Sequence, residues 1–483
     1  MKKRLLSLLL VLMLCISMLP VNQVLAATNS SLAVEELQSF AAGQTYSDWA
    51  VADLVVADTY GLYPVTWYEK DMTKAITPAK MRVLMAGLRY KMLDTDSVQT
   101  SGYTFYNMQE KMTVEEVMNY LFDTVVSFTF TKDLALKDTK AVTYMKENGI
   151  YTGKNGELGL KKTCSVEQAC VIAARLVTNI YDRLGAASKG FLWETKANGN
   201  TVYMLGSIHM ATTKIYPFSN KILAAYQNSD ALGLEVNLYD QAGAMDLVNM
   251  AVYTDGTTLK DHVSQETYDK VIAFAKSFGY SEEQIAMLKP WYIYISFSAL
   301  SMTNTGSVSE ATAGASLGID MNFLNNAMLY GKPVLELEGY KSQASMLDSF
   351  SDELEEYLLN STVDAVTQVV AGTSKSSASD LNLMLELWRK GDAEKFKEYT
   401  SFEYEYQDML ENGNTETEKK LIAEFHDKLF IQRNKTMAAY IEGLLKAEGS
   451  KTYFVIVGSG HYLGNDSVLD ILEDKGYTIT QIK

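Results

Sequence analysis

The sequence predicts an α/β domain with a mixed or mainly parallel sheet and covering helices, preceded by an all-α domain of helical repeats. Three observations predict it. From Phe191 onward β-type runs alternate with long amphipathic patterns, matched helix starts recur before Leu184, and a small-residue stretch separates the two regimes.

At the N-terminus, Lys2, Lys3 and Arg4 precede an uncharged apolar run, Leu5 to Leu19, and Val24-Leu25-Ala26 offers a small-residue cleavage site. That is the three-part pattern of a secretory signal peptide over residues 1–26, and the run falls short of the ~20 apolar residues a bilayer span needs. Cleavage before Ala27, an extracellular mature chain and no membrane span after cleavage are the expectations. Leu12-Met13-Leu14 lacks the small residues that lipidation of Cys15 would require. The chain carries 43 Lys+Arg against 59 Asp+Glu, a net charge of −16, and the leader takes basic residues only. Nucleic acid is thereby excluded as a partner. Beyond the leader only Cys164 and Cys170 remain, and their spacing puts them on different faces of one helix, so a bridge would need Cys164 to precede the helix.

Between about Tyr46 and Leu184 the chain repeats itself. Gly61-Leu62-Tyr63 and Ile76-Thr77-Pro78 recur 88 residues later as Gly149-Ile150-Tyr151 and Cys164-Ser165-Val166, and Met112-Thr113-Val114-Glu115-Glu116 is a shorter middle copy. In each copy Thr or Ser stands where an N-cap oxygen would start an amphipathic helix, and Gly61 and Gly149 serve as stop signals for the preceding ones. Helical units of this kind bury their apolar faces on one another. The arrangement resembles S-layer homology repeats, which implies binding to cell-wall polymer. The basic residue that such repeats carry after the motif Thr is replaced here by Pro78, Val114 and Val166, so weak wall binding is expected. Gly185-Ala186-Ala187-Ser188-Lys189-Gly190 reads as a flexible linker, which sets the domains at 27–188 and 189–483.

In the second domain the expected strands are Thr201 to Leu205, Ala231 to Val236, Pro333 to Leu337, Thr452 to Val457 and Thr478 to Ile482. Gln265 to Gly279, Leu317 to Tyr330, Leu381 to Lys397 and Glu416 to Ala447 are the covering helices, and Trp291-Tyr292-Ile293-Tyr294 after Pro290 reads as packed helix. The polar tracts Thr303 to Ser316 and Gly372 to Asp380 read as surface loops.

Only four histidines occur, and two share one setting. Val202 to Leu205 leads into Gly206-Ser207-Ile208-His209, and Tyr453 to Val457 into Gly458-Ser459-Gly460-His461. A glycine turn at the end of a buried strand aims the imidazole out of the sheet edge, where α/β sheets hold ligands. If the two strands are parallel neighbours, the two imidazoles converge on one pocket. His262 and His426 lie among charged residues and are expected to be solvated. Neither HExxH nor CxxC is present, which excludes a thermolysin-like or thiolate zinc site.

Phe191-Leu192-Trp193-Glu194 with Tyr203 to His209, Leu234-Glu235-Val236, Gly318-Ile319-Asp320, Gly331 to Val334 with Leu337-Glu338 and Gln343, Arg433-Asn434 with Met437, and Val457 to Gly464 together resemble the TraB/PrgY/GumN family over roughly residues 190–483. The resemblance includes the Tiki-type proteases and implies a metal-dependent peptidase that needs both Gly-x-x-His motifs and a glutamate, with Mn²⁺ or Co²⁺ as the metal. Zn²⁺ suits the same ligands equally well. More distant similarity to erythromycin-esterase-like and haem-binding ChaN-like proteins implies that the scaffold hosts other ligands.

Glu235 closes the strand after the first histidine motif and is the preferred third metal ligand or general base beside His209 and His461. Glu338 ends another strand in the same way, as an acid/base partner or in a salt bridge to Arg433. Arg433 either steadies an oxyanion or neutralises the glutamates, and Asp320 caps a helix or takes part in catalysis. All are expected on the rim, where they contribute little packing. The leading reading is a secreted metal-dependent hydrolase of peptides or an extracellular protein. The alternative is a non-catalytic protein of the cell envelope that sequesters a peptide or haem.

Overall fold

The structure is a computed structural model that describes residues 45–99, 106–373, 378–400, 415–464 and 466–483. The expected leader, 1–26, lies outside them. The chain divides into two units, one ending at Ser188 and including Thr213–Asn220, the other formed by Lys189–Thr212 and Lys221–Lys483.

The first unit is helical: Val51–Thr59, Pro78–Leu93, Val114–Val126, Ala141–Glu147 and Val166–Leu184, with a two-stranded antiparallel ribbon of β1 (Val98–Gln99) and β2 (Thr129–Phe130). Thr77, Thr113 and Ser165 are the N-caps, accepting the N–H groups of Lys80, Glu116 and Gln168, and the latter two form capping boxes. Each side-chain oxygen satisfies an amide that the helix itself cannot. The segments before the caps also bond to one another: Ile76 N–H donates to the Cys164 carbonyl at 3.0 Å, Cys164 N–H to Met112 at 2.9 Å and Val114 N–H to Lys162 at 3.0 Å. Gly61 and Gly149 both hold a positive φ, +68° and +67°, which explains why the repeat keeps glycine there. Cys164 does precede its helix, yet both thiols are buried and unpaired.

The stretch expected to be a flexible linker spans the boundary between the units, and each part of it bonds within its own unit. Ser188 pairs with Phe218, and the N–H groups of Lys189 and Gly190 donate to the carbonyls of Arg389 and Trp388.

The second unit is a mixed α/β fold around a six-stranded sheet. Its strands are β3 (Phe191–Ala197), β4 (Asn200–Ser207), β5 (Ala231–Leu234), β6 (Val334–Glu336), β7 (Thr452–Gly458) and β8 (Thr480–Gln481), in the spatial order β6-β5-β7-β4-β3-β8. β4, β7, β5 and β6 run parallel, while β3 pairs antiparallel with β4 and with β8. β7 is flanked on both sides, which suits its uncharged run Tyr453 to Val457, buried throughout. β3 is a strand the periodicity reading did not include. It joins β4 through Asn198-Gly199, both at positive φ, a hairpin turn matched to strand twist.

Helices differ from expectation where the backbone interrupts the pattern. Leu381 to Lys397 is two helices, Ala378–Lys390 and Ala393–Thr400, separated at Gly391. Glu416 to Ala447 is Glu416–His426, a π-helical turn Asp427–Ile431, and Gln432–Lys446. The tract Thr303 to Ser316, expected as a loop, ends in the helix Val308–Ser316, because Ser307 caps it by accepting the Glu310 N–H. Of Gly372 to Asp380, residues 374–377 lie outside the described chain and the last three begin a helix. Trp291, Tyr292, Ile293 and Tyr294 are buried in the helix Pro290–Ser298, packed against the helix Asp352–Val370.

At the start of that second helix, burial and the neighbouring Asp348 and Asp352 push the Glu355 carboxyl up to about 8. The folded state therefore holds the proton more tightly than the unfolded chain, and the stability this contributes is present below pH ~4.5 and lost as pH rises through about 8. Glu355→Gln should flatten the decline of Tm between pH 5 and 8 and leave the variant more stable than the parent above pH 8. Thermal unfolding across that range checks it, and parallel curves for the two proteins would refute it.

Candidate active site

The four parallel strands place their carboxyl ends along one edge, and each end carries a residue singled out above. His209 follows β4 by two residues, Glu235 follows β5 directly, Glu338 follows β6 by two, and His461 sits in the short helix Ser459–Leu463 that continues β7. β4 and β7 are parallel neighbours in register, Ser207 opposite Gly458. The Ser459 hydroxyl donates to the Ser207 carbonyl at 2.9 Å, tying the two Gly-Ser-x-His turns together.

Arg433 crosses this edge from the helix Gln432–Lys446. Its Nη2 donates to Glu235 Oε2 at 2.6 Å and to Glu338 Oε2, while Nε donates to Glu338 Oε1 at 2.8 Å. Gln343 adds its amide to both carboxylates, at 3.4 Å from Glu235 Oε2 and 3.2 Å from Glu338 Oε2. The remaining oxygen of Glu235 accepts the Gly458 N–H at 2.6 Å. The Glu235 carboxyl is raised from its ordinary range by burial, against the opposing pull of Arg433 and His209. Burial alone would lower the Arg433 guanidinium, but the two carboxylates more than reverse that and keep it charged.

Each imidazole is held by its Nδ1. His209 Nδ1 lies 3.0 Å from Asp320 Oδ2, and its Nε2 lies 3.9 Å from Glu235 Oε1. Asp320 is at the start of the helix Ile319–Tyr330, brought there by Gly318, whose missing Cβ would stand 2.3 Å from the His209 carbonyl oxygen. His461 Nδ1 lies 2.6 Å from Asn434 Oδ1, while Asn434 Nδ2 donates to the Asp466 carbonyl at 2.9 Å. That second bond turns the amide oxygen toward the imidazole, so Nδ1 carries the proton and Nε2 presents a lone pair. Nε2 is buried without a hydrogen-bond partner among the described residues. Burial, then Arg433 and His209, lower the His461 pKa well below the usual range, so the ring is neutral.

These residues are not on a rim. His461 is fully buried, and His209, Glu235 and Arg433 are at most 5% exposed. The expectation that they add little to stability is therefore corrected: removing one partner of a buried charge network leaves the others uncompensated. His262 and His426 are half-buried. His262 stacks on Tyr253 at 4.4 Å and contacts the Thr257 hydroxyl at 2.9 Å, and burial pulls the His426 pKa down to about 4 beside Phe430. Neither lies among the strand-end residues. Sequence reasoning assigned no role to Asn434 or Gln343, although both fall inside the quoted motifs.

Among the described residues no three His, Cys, Asp or Glu side chains stand close enough together to hold a metal ion. The types of donor gathered at the strand ends are nonetheless metal-ligating ones. A neutral buried imidazole with an orphan Nε2, a second imidazole beside Asp320, and the Glu235 carboxylate 3.9 Å from that second imidazole are donor types that divalent sites with an outer hydrogen-bonded shell use. Asp320, Glu235 and Glu338 place three carboxyl groups around one guanidinium and the His209 imidazole.

Fold and site together define an α/β protein with a buried His, His and carboxylate cluster at the carboxyl edge of its parallel strands. The family model of TraB/PrgY/gumN matches residues 191–481, and the chain belongs to that family. It is similar to the protein named "Metalloprotease TIKI1" of Danio rerio, 24% identical over 316 residues that cover 60% of this chain and 62% of the relative. Similar too are a "Metalloprotease TIKI homolog" of Nematostella vectensis, 22% identical over 61% of this chain and 67% of the relative, and the "Uncharacterized protein YbaP" of Escherichia coli, 26% identical over 31% and 53%. The chain thus spans about three-fifths of the length of the first of these relatives. No solved structure matches it. Among the described residues no helix is long and apolar enough to cross a membrane.

Two outcomes follow from the packing. Gly318→Ala should cost about 1–3 kcal/mol, as overpacking does, because the new methyl meets backbone rather than a movable side chain. Arg433→Met should cost about 3–5 kcal/mol by stranding two buried carboxylates. Denaturant unfolding measures both, and a change below experimental error in Arg433→Met would refute the network.

Proposed function

We propose that the chain is a secreted, metal-dependent hydrolase of peptide or extracellular protein substrates. The observation that carries this reading is the orphan, unprotonated Nε2 of His461, buried at the strand edge that also carries His209 and Glu235. The names of the relatives as metalloproteases support it, as does the signal-like N-terminus.

His461 Nε2, His209 Nε2 and Glu235 are the proposed ligands. When bound, a divalent cation supplies Lewis acidity that activates water for attack on an amide or ester carbonyl. Mn²⁺, Co²⁺ and Zn²⁺ all suit two imidazoles and a carboxylate. Asp320 and Asn434 hold the imidazole tautomers. Arg433 holds Glu235 and Glu338 in place, and its donors toward them are engaged, which favours neutralisation over oxyanion binding. Glu338 is the proposed acid/base partner, sharing Gln343 and Arg433 with Glu235. Sequestration of a peptide or haem is less well supported, because the relatives that carry a functional name are named as metalloproteases.

The repeat unit supports a second contact, with wall polymer. A groove of about 930 Å³ is lined by the aromatic Trp49 and Tyr151, by the cations Lys154, Lys162 and Arg175, which lie outside the motif positions where wall-binding repeats carry theirs, and by Glu157 and Glu167.

Isothermal titration with each of the three metals tests the site. His209→Ala, His461→Ala and Glu235→Gln should each abolish most of the wild-type affinity, and the double histidine change should cost little more than one, as for residues acting as a unit. His262→Ala should bind as the wild type does. No binding by the wild type, or additive losses, would overturn the joint site.

A further inference from the structure

Hydrolysis of a peptide needs a surface that presents an extended chain to the site, and β6 has the makings of one. It is the end strand of the sheet and, among the described residues, pairs on one side only, with β5. At its two ends the Pro333 carbonyl accepts the Leu232 N–H at 2.9 Å and the Leu337 N–H donates to Leu234 at 2.8 Å. A parallel ladder alternates its bonding side from residue to residue, so the N–H and C=O groups of Val334 and Glu336 face away from β5. The three residues of β6 are half-buried rather than sealed.

The strand also runs toward the chemistry, since Glu338 lies two residues beyond its end. Beside that end, the Asn237 N–H donates to Glu336 Oε1 at 2.6 Å, and two residues further on the Tyr239 hydroxyl donates to Asn325 at 2.7 Å. Asn325, Met328 and Leu329 share one helix face, and Tyr239, Met328 and Leu329 are all exposed. The segment Asn237–Tyr239 thus links the end of β6 to that exposed helix face.

We propose that β6 is the substrate-docking strand, to which an unfolded, extended polypeptide adds through the main chain of Val334 and Glu336, its side chains meeting Tyr239, Met328 and Leu329. The inference rests on the peptide-hydrolase reading of the same edge and narrows it to segments without fixed structure. A second copy of the chain is the poorer occupant, because three edge residues fall far short of the roughly 1,000 Å² that a stable interface buries.

The test uses the full chain with Mn²⁺ and a mixture of unstructured decapeptides, read by amide hydrogen exchange over residues 333–337. Peptide should slow the Val334 and Glu336 amides about tenfold, the worth of one or two hydrogen bonds, while Leu335 and Leu337, turned toward β5, change little. When a bound peptide carries a single N-methyl group, affinity should fall at every second position. Val334→Pro should weaken peptide binding by a similar factor and leave the Mn²⁺ titration unchanged. Absent protection, N-methyl sensitivity without alternation, or a concentration-dependent dimer that protects the strand without peptide would each overturn the docking strand. Protection without cleavage would keep it and remove the hydrolase, whereas cleavage without protection would do the reverse.

Discussion

Arg433 holds two carboxylates that arrive on separate strands, and the carboxyl edge of the sheet is organised around that contact. The Glu235 and Glu338 side chains are both nearly sealed from water, and the guanidinium pairs with both at once. The planar fork suits this task in a way an ammonium would not, because Nε and Nη2 reach Glu338 together while Nη2 also serves Glu235. The helix that carries Arg433 is directly preceded by the π turn Asp427–Ile431. Inserting one extra residue per turn re-aims the side chains that follow, and such turns recur at functional sites.

From that contact the rest of the cluster is positioned by main chain. Glu235 Oε1 takes the N–H of Gly458, which fixes the end of β7 to the end of β5, and the Glu235 carbonyl accepts the N–H groups of Glu338 and Gly339. One residue after Arg433, Asn434 orients His461, so a single helical turn sets both the charge balance and a tautomer. His209 is governed from the other side, by Asp320 and by the close approach of Gly318.

The parts legible in sequence were those that obey a local rule. The capping residues Thr77, Thr113 and Ser165 follow from hydrogen-bonding chemistry within four residues, and the paired Gly-Ser-x-His turns follow from apolar runs ending in glycine. The juxtaposition of His209, Glu235, Glu338 and His461 needed only parallel strands, since such strands share a carboxyl edge. What sequence could not carry is non-local. The break at Gly391 and the π turn each leave the amphipathic pattern nearly intact, so the two long helical readings ran through them. Burial was misjudged for a related reason: His209 and His461 end strands, but the helices starting at Ile319 and Gln432 close over them. Nothing in a strand-end motif reports what packs above it.

Burial also decides which chemistry the edge can support. In a solvated rim, Asp320, Glu235 and Glu338 would be screened from each other and the excess negative charge would have little consequence. Enclosed as they are, their repulsion has to be met by a cation, by a proton on one carboxyl, or by charging His209. His461 is unsuited to that task, since burial and the nearby guanidinium disfavour its charged form. A proton on Glu235 would spoil the bond it accepts from Gly458 and weaken its hold on Arg433, loosening the turn between β7 and His461. On the proposed reading, His209, His461 and Glu235 would hold a divalent cation, which would offset that charge while leaving the bonds to Gly458 and Arg433 intact and would give the His461 Nε2 lone pair a partner.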